Sequence, residues 1–137
     1  MEESPGKQEI KAYRLGESYA HLCDDGSVLP IAVGPEFWQS QIGALPPGRL
    51  ISMFHSAQDW TVWEMHPQGD EWILQVSGSM TLILDMPGGE TSVTLGQGEF
   101  TVVPKGIWHT ADVIEPGEAL FVTAGEGTSH RPRDRAR

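Results

Sequence analysis

Residues 60–78 read Trp60-Thr61-Val62-Trp63-Glu64-Met65-His66-Pro67-Gln68-Gly69-Asp70-Glu71-Trp72-Ile73-Leu74-Gln75-Val76-Ser77-Gly78. Side chains on a strand alternate between its two faces. A strand over 60–66 therefore puts Val62, Glu64 and His66 on one face and Trp63 and Met65 on the other. Pro67 ends its ladder. Gln68-Gly69-Asp70 turns the chain, and the returning strand aligns Glu71, Ile73 and Gln75. If these two strands are antiparallel neighbours, Glu64, His66 and Glu71 converge. Farther on, Trp108-His109-Thr110-Ala111-Asp112-Val113 sets His109 on a face with Ala111 and Val113, small apolar companions that point to an interior. Two Glu and two His aimed inward are costly to bury unpaired. Two carboxylates at close range also push one of them towards its neutral form. A divalent metal removes both costs.

The surroundings of this stretch are regularly punctuated. Strand-like runs rich in Val, Ile, Thr, Trp and Phe occur at 49–56, 60–66, 71–77, 79–85, 91–95, 99–103, 108–114 and 119–124. Glycine and proline clusters separate them. The chain's 16 Gly and 10 Pro supply the turns that many short strands require. This pattern predicts an all-β sandwich or barrel. Upstream, residues 12–33 contain Gly16, Asp24-Asp25-Gly26 and Pro30 and read as one or two short strands. The segment Pro35 to Ile42 predicts a short helical turn with Pro35 at its start. The expected division is a loose arm at 1–11, one β domain at 12–128 and a disordered Arg-rich tail at 129–137. A length of 137 residues fits a single domain.

Charge narrows the partners. The net charge is −10, yet Arg131, Arg133, Arg135 and Arg137 sit in the last seven residues. The rest of the chain is therefore still more acidic and repels nucleic acid and anionic membranes. No apolar run approaches the roughly 18 residues of a membrane-spanning helix. Cys23 is the single cysteine, so no intrachain disulfide forms, which suits a reducing cytoplasm.

Glu64-Met65-His66 followed by Glu71 and, after six intervening residues, Gly78 is similar to the first cupin motif, G-x5-H-x-H-x(3,4)-E-x6-G. Gly98, then Pro104-Lys105-Gly106 and His109, matches the second, G-x5-P-x-G-x2-H-x3-N, through its histidine. The chain thus resembles the cupin superfamily over about residues 58–113. The resemblance implies an antiparallel jelly-roll barrel. It also implies a divalent metal (Mn, Fe, Ni or Zn) held by Glu64, His66, Glu71 and His109, a small-molecule ligand or substrate, and a homodimer paired through its sheets. Gln58 and Val113 stand where the motifs have Gly and Asn, both minor departures. Glu64 stands where the first motif has His, and this one matters. Two carboxylates cancel the charge of a divalent ion, which weakens it as a Lewis acid and favours metals that take oxygen ligands, such as Mn²⁺ or Fe²⁺. Alternatively His66, Glu71 and His109 form a two-His, one-carboxylate triad, and Glu64 is a catalytic general base.

The function implied is that of a metal-dependent cupin enzyme acting on a small polar metabolite at the barrel mouth, by dioxygenase-, isomerase- or lyase-type chemistry. The rival is a non-catalytic binding or sensing module. Among the remaining residues, Gln75 is either a hydrogen-bond partner of a metal ligand or a satisfied interior amide. Trp60, Trp63, Trp72 and Trp108 are expected in the core or at an interface rather than in a pocket. His21 and His130 lack ligand-like spacing and are expected at the surface, and His55 is expected to be partly exposed. Gly96-Gln97-Gly98 reads as a β-turn, since no helix and no third glycine follow.

Overall fold

The computed structural model describes residues 10–38 and 42–134. Eleven strands are formed among them: β1 (Ser18–Cys23), β2 (Val28–Ala32), β3 (Gly48–Ser56), β4 (Val62–Met65), β5 (Glu71–Gln75), β6 (Ser79–Met86), β7 (Gly89–Leu95), β8 (Phe100–Val103), β9 (His109–Glu115), β10 (Gly117–Thr123) and β11 (Ser129–Pro132). A 3-10 turn at Ile42–Ala44 is a short helical element in the N-terminal third. The expected helical turn at 35–42 falls partly on 39–41, outside the described residues, as do 1–9 of the arm and 135–137 of the tail.

The strands form two antiparallel sheets. One has the order β2-β1-β3-β10-β5-β8, the other β11-β4-β9-β6-β7. Their inner faces enclose Ile73, Met80, Leu82, Leu84, Leu95, Val103, Ala111, Ala119 and Phe121. Alternation drives this burial: β5 buries Glu71, Ile73 and Gln75 while Trp72 and Leu74 face outward, half-buried. A second cluster of Tyr19, Phe37 and Leu50 packs the N-terminal segment onto the longer sheet. The chain passes closely where β5 leads into β6 and β9 into β10. A Cβ on Gly117 would lie 2.0 Å from the Ser77 carbonyl oxygen, so only glycine fits there.

Three expectations are corrected. Strands β4 and β5 are not neighbours, because they belong to opposite sheets. The Pro67–Asp70 turn crosses between the layers, so the motif's two halves meet face to face across the barrel rather than side by side. Residues 129–132 are not a loose tail. They form β11, which pairs with β4 in the register Ser129↔Met65, His130↔Glu64 and Arg131↔Trp63. His21 is buried, not at the surface, because it lies on the inner face of β1, where its Nε2–H donates to the Pro46 carbonyl at 2.6 Å.

Candidate metal centre

Glu64 lies directly opposite His109 in the pairing of β4 with β9. His66 follows at the end of β4, where Pro67 stops further pairing. Glu71 opens β5 on the facing sheet. The four side chains offer ligand atoms that all lie within 4.8 Å of one another. Glu71 Oε1 is 3.0 Å from His109 Nε2 and 3.3 Å from His66 Nε2. Glu64 Oε1 is 3.6 Å from His66 Nε2. The four residues singled out by spacing are therefore brought together at one point.

Hydrogen bonds behind each side chain decide which atom it presents. The Thr128 hydroxyl donates to the Gly125 carbonyl at 2.7 Å, so its oxygen accepts from His66 Nδ1–H, also at 2.7 Å. His109 Nδ1–H donates to the Ile107 carbonyl at 3.1 Å. Both rings are thus held with Nε2 turned into the site, the arrangement typical of metal-ligating histidines. Thr123 donates to Glu71 Oε2 at 2.6 Å, leaving Oε1 to face the rings.

The consequence is a cluster of orphans. His66 Nε2, His109 Nε2 and Glu71 Oε1 are all buried without a hydrogen-bond partner. Such groups are rare because each forfeits its solvation. Either protons or a cation must sit between them. Without a metal, burial pushes the His66 imidazolium down, but the Glu64 and Glu71 carboxylates outweigh it and raise the ring to about 9. Burial likewise pushes the Glu71 carboxyl up, but His109 and His66 outweigh it and hold it at about 2. Glu64 is lowered too: burial opposes ionisation there, and His66 prevails. Two imidazoles and two carboxylates aimed at one point fit a divalent ion, which replaces the proton and supplies the missing partner for all three orphans.

The chain matches the model of the cupin domain over residues 46–124. The chain belongs to the cupin family. Its fold is similar to that of hydroquinone 1,2-dioxygenase in complex with Cd²⁺ and 4-hydroxybenzonitrile, with a TM-score of 0.50 and 17% identity over 61% of each chain. A cupin-2 domain protein from Shewanella frigidimarina gives a TM-score of 0.47 and 20% identity over 62% of this chain and 71% of that one. Bacillus subtilis oxalate decarboxylase, studied for its Mn(II) centres, gives 0.49 and 17% over 61% of this chain and 23% of that one. No functionally curated protein matches the chain in sequence. As a cupin, the molecule places its candidate donors on inward positions of both sheets.

The structure also adds residues that spacing alone did not reveal. His130 is exposed, as expected, yet its Nε2 lies 3.3 Å from Glu64 Oε2. Thr128 and Thr123 stand behind His66 and Glu71. Threonines of this kind carry no sequence signal, since any strand holds several. Gln75 is buried and donates to the Ser77 carbonyl at 2.7 Å, two residues along its own strand, rather than to a metal ligand. Trp60 is half-buried beside the core and stands 6.3 Å, ring to ring, from His109. Trp63 and Trp108 clasp Arg131 on the outside.

Proposed function

We propose that this chain is a metal-dependent enzyme acting on a small polar metabolite at the barrel mouth, with dioxygenase-, isomerase- or lyase-type chemistry. The observation that carries the reading is the set of three buried donor atoms, the Glu71 oxygen 3.0 Å and 3.3 Å from the two ring nitrogens yet none with a well-formed hydrogen bond, aimed at one point by hydrogen bonds on their far sides. His66, Glu71 and His109 would hold the metal; the side chains of His66 and Glu71 are only 7% and 3% exposed. Glu64, 28% exposed, stands on the solvent side of the cluster, where a substrate arrives. Its carboxylate, held ionised, accepts a substrate proton or completes the ligand set. The metal, when bound, would supply a Lewis acid that polarises substrate oxygen atoms. The donor set suits Mn²⁺ or Fe²⁺ and admits Ni²⁺ or Zn²⁺. A reducing cytoplasm suits Fe²⁺ and the single thiol.

The test is elemental analysis of protein purified without added metal, followed by metal titration and a metabolite panel. Wild type is expected to hold close to one divalent ion per chain. His66→Ala and His109→Ala should lose it, with affinity falling at least 100-fold. Glu64→Gln should keep the metal and lose turnover. Wild type that takes up no Mn, Fe, Co, Ni or Zn at micromolar levels would sink the proposal. Ligand-induced melting shifts without turnover would replace the enzyme by a binding module.

We also propose a homodimer through the outer face of the longer sheet. The register sets Ile51, Val122, Trp72 and Val102 in one outward row and Met53, Leu120, Leu74 and Phe100 in the next. Neither row holds a charge. Phe100 and Val102 are 58% and 46% exposed. In a chain of net charge −10, this uncharged face is where two copies meet without repulsion.

A further inference from the structure

We propose that the C-terminal segment Gly125–Arg133 is a working part of the metal centre, so that metal retention and docking of β11 are one coupled equilibrium. The inference rests on the reading of the four converging side chains as a metal site. Two of those four are oriented from this segment. Thr128 receives His66 Nδ1–H and thereby turns Nε2 inward. His130 Nε2–H donates to Glu64 Oε2, leaving Oε1 on the side of His66. Both partners are more than sixty residues away along the chain, so nothing but the docking of the segment supplies them.

The docking itself is built on the ligand-bearing strands. The Arg131 guanidinium lies 5.3 Å from the Trp63 ring and 4.5 Å from the Trp108 ring. It also pairs with Asp85 at 3.3 Å. Trp63 precedes Glu64, and Trp108 precedes His109. Arg133 donates to the carbonyls of Trp60 and Ala111 and pairs with Asp112 at 2.8 Å. Its backbone N–H donates to Thr61 O at 3.0 Å. At the start of the segment, Gly127 passes so close to Pro67 that a Cβ there would sit 3.0 Å from the proline ring, next to His66. Release of β11 therefore frees the ring of His66 and the outer oxygen of Glu64 together. By linkage, whatever the docked segment adds to metal affinity, the metal adds to docking.

The experiment combines Mn²⁺ and Zn²⁺ titration with hydrogen exchange of residues 129–133 in the full chain. Thr128→Val and His130→Ala should each weaken metal binding about 10-fold, and Arg133→Ala by 10- to 100-fold, the range for groups that orient metal ligands. Saturating metal should slow exchange of the 129–133 amides in wild type. If Arg133→Ala fails to fold, Thr128→Val, which conserves shape, decides. Variants that bind as tightly as wild type, with exchange unmoved by metal while His66→Ala abolishes binding, would overturn the coupling and leave the metal site standing. Wild type that binds neither ion would remove the site itself and the coupling with it.

Discussion

His66 shows how one side chain answers two converging carboxylates. Its ring is buried and faces two carboxylates, which raise it to about 9 against an ordinary value of 6.5. A group raised in the folded state stabilises the fold fully below its unfolded value and loses that contribution as pH climbs through the folded one. Glu71 runs the other way: held at about 2 against 4.5, it stabilises above 4.5 and fails as pH falls through about 2. Metal-free protein should therefore be most stable between about pH 4.5 and 6.5, and should weaken towards pH 9, as read by thermal melting across pH. Because a metal must displace the His66 proton, its apparent affinity should rise about tenfold per pH unit and level off above about pH 9. The residue pattern exposed this much in advance: the spacing of Glu64, His66, Glu71 and His109 picked out the four side chains that converge. It did not name Thr123 and Thr128, because a hydroxyl's partner is set by where distant strands come to lie.

At the scale of elements, the strands from β3 to β10 fall within about two residues of the alternating runs, since period-two burial with glycine and proline breaks is a local signal. β11 is the exception. Ser129-His130-Arg131-Pro132 has no apolar alternation and ends on proline, so nothing local marks it as a strand. It forms because β4 offers a free edge and because Trp63, Trp108, Asp85 and Asp112 receive its Arg131 and the adjoining Arg133. The junction of β9 with β10 gives a sharper element-level prediction. Gly117 packs against the backbone of Ser77 and Gly78 with no room for a methyl group. Gly117→Ala should cost about 3 kcal/mol, the upper end for overpacking, measured by denaturant unfolding of wild type and variant. Gly88→Ala, at an open hairpin position, should cost far less.

For the whole molecule, the longer sheet carries apolar side chains on both faces. One face fills the barrel, and the other presents two uncharged rows to the outside. Wild type should sediment as a dimer at micromolar concentration, and Phe100→Lys with Val102→Lys should give a folded monomer. A monomeric wild type would reject the interface. Docking of two copies through this face would leave the candidate metal centre on the inner side of each barrel untouched, so the monomeric variant should bind metal as wild type does.

The order of apolar and polar residues by itself determined that this chain is all-β, a sandwich or a barrel, where most strands run, and which four side chains gather at the candidate site. Those features depend on periodicity and on short spacings, and both are local. Only the tertiary structure decided that Glu64 and Glu71 approach from opposite sheets, that residues 129–132 form a strand, and that His130 stands beside Glu64. These depend on which strands share an edge and which faces oppose, and that is settled by the closure of the whole barrel around one core.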